Sequence, residues 1–273
     1  MDRQALVCRN ILEKPDITQR EMAKNMDISL GTVNGLVKEC LAEGYIAEEE
    51  NGKEKHLILL EKGKELLKPY KVDGALIIAA GFGSRFVPLT FETPKGLLEV
   101  FGERMIERQI KQLHEVGIYD ITIAVGYLKE KFEYLIDKFD VRLLYNPEYS
   151  CKNTLATVYR ARKFLKGRNV YILSSDNWMR ENMYHSYECG AWYSAAHEVG
   201  ETKEWCLTFN KKGRISDVNV GGKDAWFMYG PVYLSREFSA RFLPVLEAYY
   251  QIPGTEQFYW EQPYVDMLKG EAK

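Results

Sequence analysis

Hydrophobic residues in the first quarter of the chain recur at intervals of three and four, which is the spacing of amphipathic helices. Ser29 is the predicted N-cap of the third such helix. The apolar stripe of this helix consists of Val33, Leu36, Val37 and Leu41. The charged stretch that follows contains Asn51-Gly52, a dipeptide typical of a tight hairpin turn. The pattern predicts three helices and a hairpin, which form a first domain over residues 1–72.

The pattern changes after Asp73, where short and nearly continuous apolar runs replace the helical stripes. Such runs are typical of buried parallel strands. They lie at residues 74–80, 121–125, 141–145 and 170–175. Helical stretches separate them, and Gly117 closes the first of these helices. The alternation predicts a doubly wound α/β sheet in a second domain, residues 73–273, with ligand sites beyond the carboxyl ends of the strands.

Composition narrows the class of protein. The 273 residues are 46% hydrophobic and 28% charged, which favours folded domains over a disordered chain. The formal net charge of -2 gives no overall basic field, so nucleic-acid binding would need a local patch. Five cysteines without a C-x-x-C pair argue against a disulfide framework and a zinc cage. No apolar run approaches the length of a membrane span, and we expect a cytoplasmic protein without a membrane partner.

The first predicted strand runs into a glycine-rich stretch, AAGFGSRFVPLTFETPKG, at residues 79–96. A dinucleotide fingerprint would need a third glycine at Phe86, and a Walker P-loop would need Gly-Lys-Ser/Thr, so both are disfavoured. The glycine pair alone would also fit an ordinary tight turn. With the pair, however, come Arg85, which can fork onto phosphate oxygens, and Lys95, which adds a point charge. The stretch therefore predicts a loop that binds a polyphosphate through backbone N–H groups and two cations.

The full pattern A-A-G-x-G-S-R-x-x-P-L-T-x-x-x-P-K, from Ala79 to Lys95, resembles the signature of the nucleotidyltransferase family that includes sugar-1-phosphate nucleotidylyltransferases. The resemblance implies a Rossmann-like domain, with a GT-A-like mixed sheet flanked by helices. It also implies that the loop holds a nucleoside triphosphate and that Arg85 and Lys95 are catalytic. The matching nucleotide-binding positions are Ala80, Gly81, Gly83, Ser84, Arg85 and Lys95.

A second candidate site is SSDNW, residues 174–178, at the end of the fourth apolar run. A carboxylate at the end of a central strand can bind Mg²⁺, which prefers carboxylate and phosphate oxygens. An aspartate at such a place could also cap a turn. The family resemblance implies that Asp176 is catalytic and is the ligand of a Mg²⁺ cofactor.

Further segments resemble one subfamily, the bacterial CTP:phosphocholine cytidylyltransferases, over residues 74–268. They are VGYLKE at 125–130, SSDNW at 174–178, Glu204-Trp205 and FYWE at 258–261. The resemblance implies that the cytosine ring and ribose of CTP contact Gly126, Tyr127, Asn153 and Thr154. Asn153 could instead cap the helix that begins at Thr154.

The subfamily resemblance also implies an aromatic site for the trimethylammonium group of phosphocholine, formed by Trp205, Tyr259, Trp260 and Glu261. This cation donates no hydrogen bond, so aromatic faces and a carboxylate must hold it, each good ring contributing roughly 0.5 to 2 kcal/mol. A sugar would need hydrogen bonds instead. Each Trp could alternatively be core packing. Gln257 stands where the relatives have an acidic residue.

The family has a second Mg²⁺ carboxylate near its C-terminus, and this sequence stops at MLKGEAK before such a segment. Asp217, Asp224 and Asp266 do not match its context. Either the sequence is part of a longer polypeptide or its Mg²⁺ site is incomplete, and we expect the former, with truncation at the C-terminal end.

The predicted reaction transfers a cytidylyl group. A phosphate oxygen of phosphocholine attacks the α-phosphorus of CTP in line, pyrophosphate departs and CDP-choline forms, while Mg²⁺, Arg85 and Lys95 stabilise the developing charge. One alternative is a nucleotidylyltransferase that acts on a sugar 1-phosphate. Another is a transcription regulator whose second domain senses a nucleotide or choline phosphate without turnover.

The order of elements in residues 1–72 resembles a winged helix-turn-helix of the MarR-like kind. In a DNA-binding member the third helix enters the major groove, and its exposed polar residues here would be Thr32, Asn34 and Lys38. The predicted wing carries three glutamates, Glu48 to Glu50, which disfavours phosphate contacts. DNA binding and protein docking or dimerisation both remain open for this domain, and so does a homodimer.

Overall fold

The computed structural model describes residues 2–51 and 54–270. They form two compact units. The first contains the described residues up to Lys71 together with a short return of the chain, Tyr187–Gly190. The second contains Val72–Ser186 and the described residues from Ala191 onward. The sequence placed the boundary at residue 72 and contained no signal for the return.

The first unit is a winged helix. Its elements are helices α1 (Arg3–Glu13), α2 (Gln19–Met26) and α3 (Leu30–Ala42), the antiparallel strands β1 (Ile46–Asn51) and β2 (Glu54–Leu59), and helix α4 (Glu61–Leu67). Side chains cap the three N-terminal helices. The Ser29 hydroxyl accepts a bond from the Thr32 N–H at 3.2 Å, so the predicted cap is confirmed. Gly52 of the predicted turn lies outside the described residues.

The second unit is built on one six-stranded sheet. Its strands in spatial order are β7 (Arg142–Tyr145), β6 (Ile121–Val125), β3 (Gly74–Ala79), β8 (Val170–Ser174), β10 (Ile215–Leu234) and β9 (Trp192–Phe209). The four strands from β7 to β8 are parallel, and β10 runs antiparallel to both of its neighbours. The predicted α/β class is thus confirmed as a mixed sheet, and all four predicted strands are present.

Helices cover both faces of the sheet. They are α5 (Met105–Glu115), α6 (Tyr134–Phe139), α7 (Thr154–Leu165), α8 (Arg236–Gln251) and α9 (Gln262–Lys269), and a two-residue hairpin, β4 (Glu99–Val100) with β5 (Glu103–Arg104), precedes α5. Ile77 packs with the cluster that includes the apolar face of α5, whereas the adjacent Leu76 packs with α7 and α8. Because successive side chains point to opposite faces and both faces are covered, the strand is apolar throughout.

Two local predictions differ from the structure. The helical stretch predicted between the second and third apolar runs, KEKFEYLIDKF at residues 129–139, is not one continuous helix. It forms a 3-10 turn at Lys129–Phe132 followed by the short helix α6. The long ribbon of β9 and β10 was not predicted. Its pairing contains several register shifts, including one between Val220 and Gly222. Each shift breaks the alternation of apolar and polar positions by which a strand is recognised.

Hydropathy gives the same result in the structure as in the sequence. No helix within residues 2–51 and 54–270 is both long and apolar enough to cross a membrane.

Candidate active site

The glycine-rich loop begins where β3 ends, at the carboxyl edge of the sheet. The Ala80 carbonyl accepts a hydrogen bond from the Tyr127 N–H at 3.1 Å, which ties the loop to the end of β6. Gly83 has φ +65°, a left-handed conformation that favours glycine. The Thr90 hydroxyl donates to the Gly83 carbonyl at 2.9 Å. The loop therefore folds back on itself, with its turn fixed by a buried threonine.

The two cations predicted to contact phosphates, Arg85 and Lys95, lie in different 3-10 turns of this loop. Arg85 is exposed in the 3-10 turn Ser84–Phe86. Lys95 lies over the Phe86 ring at 4.5 Å and forms an ion pair with the Asp176 carboxylate. The fold thus brings together Lys95 and Asp176, two predicted catalytic residues that are far apart in sequence.

Asp176 lies just after β8, on a segment that packs against Gly96 and accepts hydrogen bonds from α5. Gly96 packs so closely against this segment that a Cβ there would lie 2.7 Å from the Ser175 Cβ. The Gln109 side chain, buried on α5, donates to the carbonyls of Ser174 at 2.9 Å and Asn177 at 2.6 Å. Sequence reasoning missed Gln109. Its signal was a polar residue on the apolar stripe of α5, between Ile106 and Ile110.

Arg108, which directly precedes Gln109 on α5, binds the same segment. Its guanidinium donates to the Met179 carbonyl at 2.5 Å and to the Arg180 carbonyl, and it lies over the Trp178 ring at 4.7 Å. The segment that follows Asp176 is therefore fixed by these contacts with Arg108.

Two of the predicted base-binding positions, Gly126 and Tyr127, lie next to the loop at the end of β6. A Cβ at Gly126 would lie 2.5 Å from the Tyr149 Cβ and 2.7 Å from the Ala80 carbonyl oxygen, so no side chain fits there. The Phe82 ring lies 5.2 Å from the Tyr127 ring and 5.3 Å from that of Tyr149. Phe82 is partly exposed, and sequence reasoning assigned no role to it or to Tyr149. Aromatic rings at this edge could stack on a nucleobase.

Asn153 is the N-cap of α7, as the alternative interpretation stated. Its side-chain oxygen accepts from the Thr154 N–H at 2.7 Å, and its amide donates to the Gln257 carbonyl at 3.3 Å. The Thr154 hydroxyl accepts from the Trp260 N–H at 3.1 Å. Two predicted sites, one for the nucleotide and one for the amine, are therefore joined by direct hydrogen bonds.

The predicted amine-binding residues do not all lie in the same environment. The Trp205 and Tyr259 rings meet edge to face with centroids 6.0 Å apart, and Tyr259 is 52% exposed. Trp260 is only 6% exposed and packs in the core against Phe242. The structure thus places Trp260 in the core rather than on a surface open to a ligand, since its neighbours cover the indole.

Glu261 has an unusual environment for a carboxylate. Oε1 accepts from the Tyr193 hydroxyl at 3.0 Å, and Oε2 is buried with no hydrogen-bond partner among the described residues. Burial raises the pKa of Glu261 to about 7, against the smaller opposing effects of a backbone hydrogen bond and of the Tyr193 bond. Tyr193 stacks on Trp260 at 6.3 Å, and burial raises the pKa of its hydroxyl, which remains a donor. Tyr193 lies in the unpredicted strand β9, so sequence reasoning missed it.

The donor set for Mg²⁺ is small. Among residues 2–51 and 54–270, no three or more His, Cys, Asp or Glu side chains are grouped to hold a metal ion. A single strand-end carboxylate beside a polyphosphate loop nevertheless suits Mg²⁺, which retains waters and binds through few carboxylates together with substrate phosphates.

Known proteins match both parts of the chain. Residues 74–195 match the family model "Nucleotidyl transferase", and residues 9–47 match "Winged helix-turn-helix DNA-binding". The choline-phosphate cytidylyltransferase of Streptococcus pneumoniae is 32% identical over 195 residues, which are 71% of this chain and 84% of that protein. The 2-aminoethylphosphonate cytidylyltransferase of Lancefieldella rimae is 34% identical over 189 residues, 68% of this chain and 77% of that protein.

Solved structures agree with these matches. The CTP:phosphocholine cytidylyltransferase of Streptococcus pneumoniae superposes with a TM-score of 0.69 at 32% identity, covering 73% of this chain and 86% of that one. A UDP-glucose pyrophosphorylase superposes with a TM-score of 0.57 at 14% identity, covering 73% and 88%, which shows the fold alone. Family model, sequence relatives and structure therefore agree that this chain, behind its winged helix-turn-helix unit, belongs to the cytidylyltransferases of the nucleotidyltransferase family.

Proposed function

We propose that the protein is a Mg²⁺-dependent cytidylyltransferase that makes CDP-choline and pyrophosphate from CTP and phosphocholine. The observation that carries the choice of phosphocholine is the combination of the Trp205–Tyr259 ring pair with the buried carboxylate of Glu261. Aromatic rings and a carboxylate suit a quaternary ammonium group, whereas a sugar needs many hydrogen-bonding groups. The choline-phosphate cytidylyltransferase relative supports the same choice.

The chain's own residues account for the phosphate chemistry. CTP binding separates the Lys95–Asp176 ion pair, which frees the ammonium for a phosphate oxygen and the carboxylate for a metal ion. Arg85, exposed at the glycine turn, adds a bidentate contact to the phosphates. Asp176 would hold Mg²⁺, which neutralises charge on the triphosphate. Positioning and electrostatics supply most of the catalysis, because phosphoryl-type transfer needs no covalent enzyme intermediate.

The 2-aminoethylphosphonate cytidylyltransferase relative makes a second substrate worth testing. Its cation is a primary ammonium, which donates hydrogen bonds, and Oε2 of Glu261, which has no partner in the part of the chain that the structure describes, could accept one. The two substrates therefore need different contacts in the same pocket: aromatic faces for phosphocholine and a hydrogen-bond acceptor for 2-aminoethylphosphonate.

The test is a pyrophosphate-release assay with CTP, UTP, GTP or dTTP, each paired with phosphocholine, 2-aminoethylphosphonate or a hexose 1-phosphate. We expect turnover with CTP and phosphocholine, and loss of turnover when Mg²⁺ is chelated. Preference for 2-aminoethylphosphonate would reassign the substrate, and preference for a hexose 1-phosphate would refute the amine pocket. No turnover with any pair would favour the sensor alternative.

Two variants test the residue roles in the same assay. Asp176→Asn should abolish turnover while the protein stays folded, and unchanged Mg²⁺ dependence would overturn the metal assignment. Trp205→Ala should raise the KM for phosphocholine about tenfold, since one good ring contributes roughly 0.5 to 2 kcal/mol, and should leave the KM for CTP unchanged. Equal effects on both KM values would mean that Trp205 is packing.

A further inference from the structure

The glycine-rich loop keeps its shape with little apolar burial. Its large apolar side chains are between 40% and 64% exposed at five positions: Phe82, Phe86, Val87, Leu89 and Phe91. Thr90, in contrast, is 2% exposed. Because buried apolar surface contributes little here, the position of the loop depends on its hydrogen bonds and ring contacts with fixed parts of the domain.

Tyr127, which follows β6, contacts this loop at three points. Its backbone N–H donates to the Ala80 carbonyl at 3.1 Å, and its hydroxyl donates to the Phe91 carbonyl at 3.0 Å. Its ring lies 5.2 Å from the Phe82 ring, measured between centroids. A single residue at the edge of the sheet therefore connects the beginning of the loop with its second 3-10 turn, Leu89–Phe91.

Thr90 continues this connection to the glycine turn. It directly precedes Phe91, and its hydroxyl donates to the Gly83 carbonyl at 2.9 Å. Thr90 also fills the space beside Gly83, since a Cβ on this glycine would lie 2.9 Å from the Thr90 Cγ2. Arg85, a predicted phosphate contact, lies two residues beyond Gly83. Two hydrogen bonds in series thus run from Tyr127 through Thr90 to the turn that carries Arg85.

We propose that Tyr127 and Thr90 are positioning residues that hold the loop in its phosphate-binding shape before a nucleotide arrives. We call the two bonds that their hydroxyls donate, to Phe91 and to Gly83, the brace. A loop that is already ordered loses less conformational entropy on binding, so the brace raises the affinity for a triphosphate. This role differs from a direct contact of Tyr127 with cytosine or ribose, because it acts on every ligand that the loop binds through phosphates. The inference rests on the proposed function for the identity of the nucleotide, CTP.

Conservative substitutions in the full-length protein remove one bond of the brace at a time. Tyr127→Phe deletes the hydroxyl that binds the Phe91 carbonyl and keeps the ring and the backbone N–H. Thr90→Val replaces the buried hydroxyl by a methyl group of similar size, whereas Thr90→Ser retains a hydroxyl that can bind the Gly83 carbonyl. Tyr119→Phe is the matched control, since Tyr119 lies two residues before β6 and Tyr127 lies two residues after it. Circular dichroism and urea unfolding report the stability of every variant.

Calorimetric titration with two ligands separates the brace from a direct contact with the nucleoside. CTP contains cytosine, ribose and a triphosphate, whereas inorganic triphosphate supplies the phosphates alone. We expect Tyr127→Phe and Thr90→Val to weaken the binding of both ligands by the same factor, about fivefold, as the loss of one neutral hydrogen bond predicts. The KM for phosphocholine should not change. Thr90→Ser and Tyr119→Phe should bind both ligands as the parent protein does.

The two bonds act in series, which gives a second expectation. Breaking either one disconnects the glycine turn from the Tyr127 side chain, so the double variant should lose less affinity than the product of the two single losses. Hydrogen exchange reports the same loosening without any ligand. The amides of Phe86 and Phe91 donate hydrogen bonds inside the loop. They should exchange faster in Tyr127→Phe and in Thr90→Val than in the parent protein.

Two results would overturn the proposal. Weaker binding of CTP with unchanged binding of inorganic triphosphate would mean that the Tyr127 hydroxyl contacts the nucleoside directly. Unchanged exchange of the Phe86 and Phe91 amides in both variants would mean that the brace does not order the loop. If the protein turns over another nucleoside triphosphate, equal weakening for that nucleotide and for inorganic triphosphate would support the brace and refute only the proposed substrate.

Discussion

The buried carboxylate of Glu261 gives a prediction that can be checked without any substrate. Its folded-state pKa of about 7 lies above the ordinary value of 4.5 because burial disfavours the ionised form. The folded protein therefore holds a proton at Glu261 between these two pH values, where the unfolded chain has lost it. Glu261→Gln, which replaces the carboxylate by a neutral group of the same shape, removes this titration.

The sign and size of the effect follow from linkage. Since the folded state binds the proton more tightly, its stability contribution is complete below about pH 4.5 and is lost as pH rises through about 7. The difference of about 2.5 between the two pKa values, at about 1.4 kcal/mol for each pKa unit, amounts to about 3 to 4 kcal/mol over the whole window. Most of this change falls between about pH 5 and about pH 8.

Urea unfolding at about pH 5 and about pH 8 measures the effect as a difference between parent and variant. The parent should lose about 2 to 3 kcal/mol more than Glu261→Gln between these pH values, while other titrating groups cancel because both proteins share them. Glu256→Gln is the matched control, since Glu256 is exposed and backbone hydrogen bonds lower its pKa, so it stays ionised throughout. Equal losses in parent and Glu261→Gln would refute the reasoning.

A bound cation would reverse part of this loss. A trimethylammonium group against Glu261 favours the ionised carboxylate, so saturating choline should reduce the extra loss of stability at about pH 8 in the parent and not in Glu261→Gln. Choline itself is the suitable probe because it carries the same cation without a phosphate.

Three further predictions concern single positions. Gly126→Ala should destabilise the fold by about 1 to 3 kcal/mol and reduce turnover, because the added Cβ would lie 2.7 Å from the Ala80 carbonyl oxygen; unchanged urea unfolding would contradict this. Trp260→Ala should lower the free energy of unfolding by about 3 to 5 kcal/mol, because the indole is buried. Tyr259→Ala should change it by less than about 1 kcal/mol and raise the KM for phosphocholine. A larger loss of stability for Tyr259→Ala than for Trp260→Ala would contradict the placement of Trp260 in the core. A thiol reagent should modify Cys151 rapidly in the native protein and the other four cysteines only after unfolding, because those four are buried; fast modification of a second thiol would refute this.

The sequence by itself determined the elements whose signals are local. The four parallel strands of the sheet were readable because strands covered on both faces are apolar throughout, as Leu76 and Ile77 show by packing on opposite sides. The helix beginning after Ser29 was readable because its cap and apolar stripe lie within a few residues of each other. The phosphate loop was readable because its glycines and cations form one continuous pattern.

Only the tertiary structure decided which distant residues meet. Nothing near Lys95 in sequence indicates its ion pair with Asp176, and nothing near Asn153 indicates that the chain before Trp260 packs on its helix. Tyr193 could not be found because bulges break the alternation of β9. The return of Tyr187–Gly190 into the winged-helix unit has no local signal either, since Arg9 and Glu188, which form an ion pair there, are far apart in sequence. Local periodicity reports which face of an element is buried, whereas the partner of that face is fixed only when the whole chain has packed.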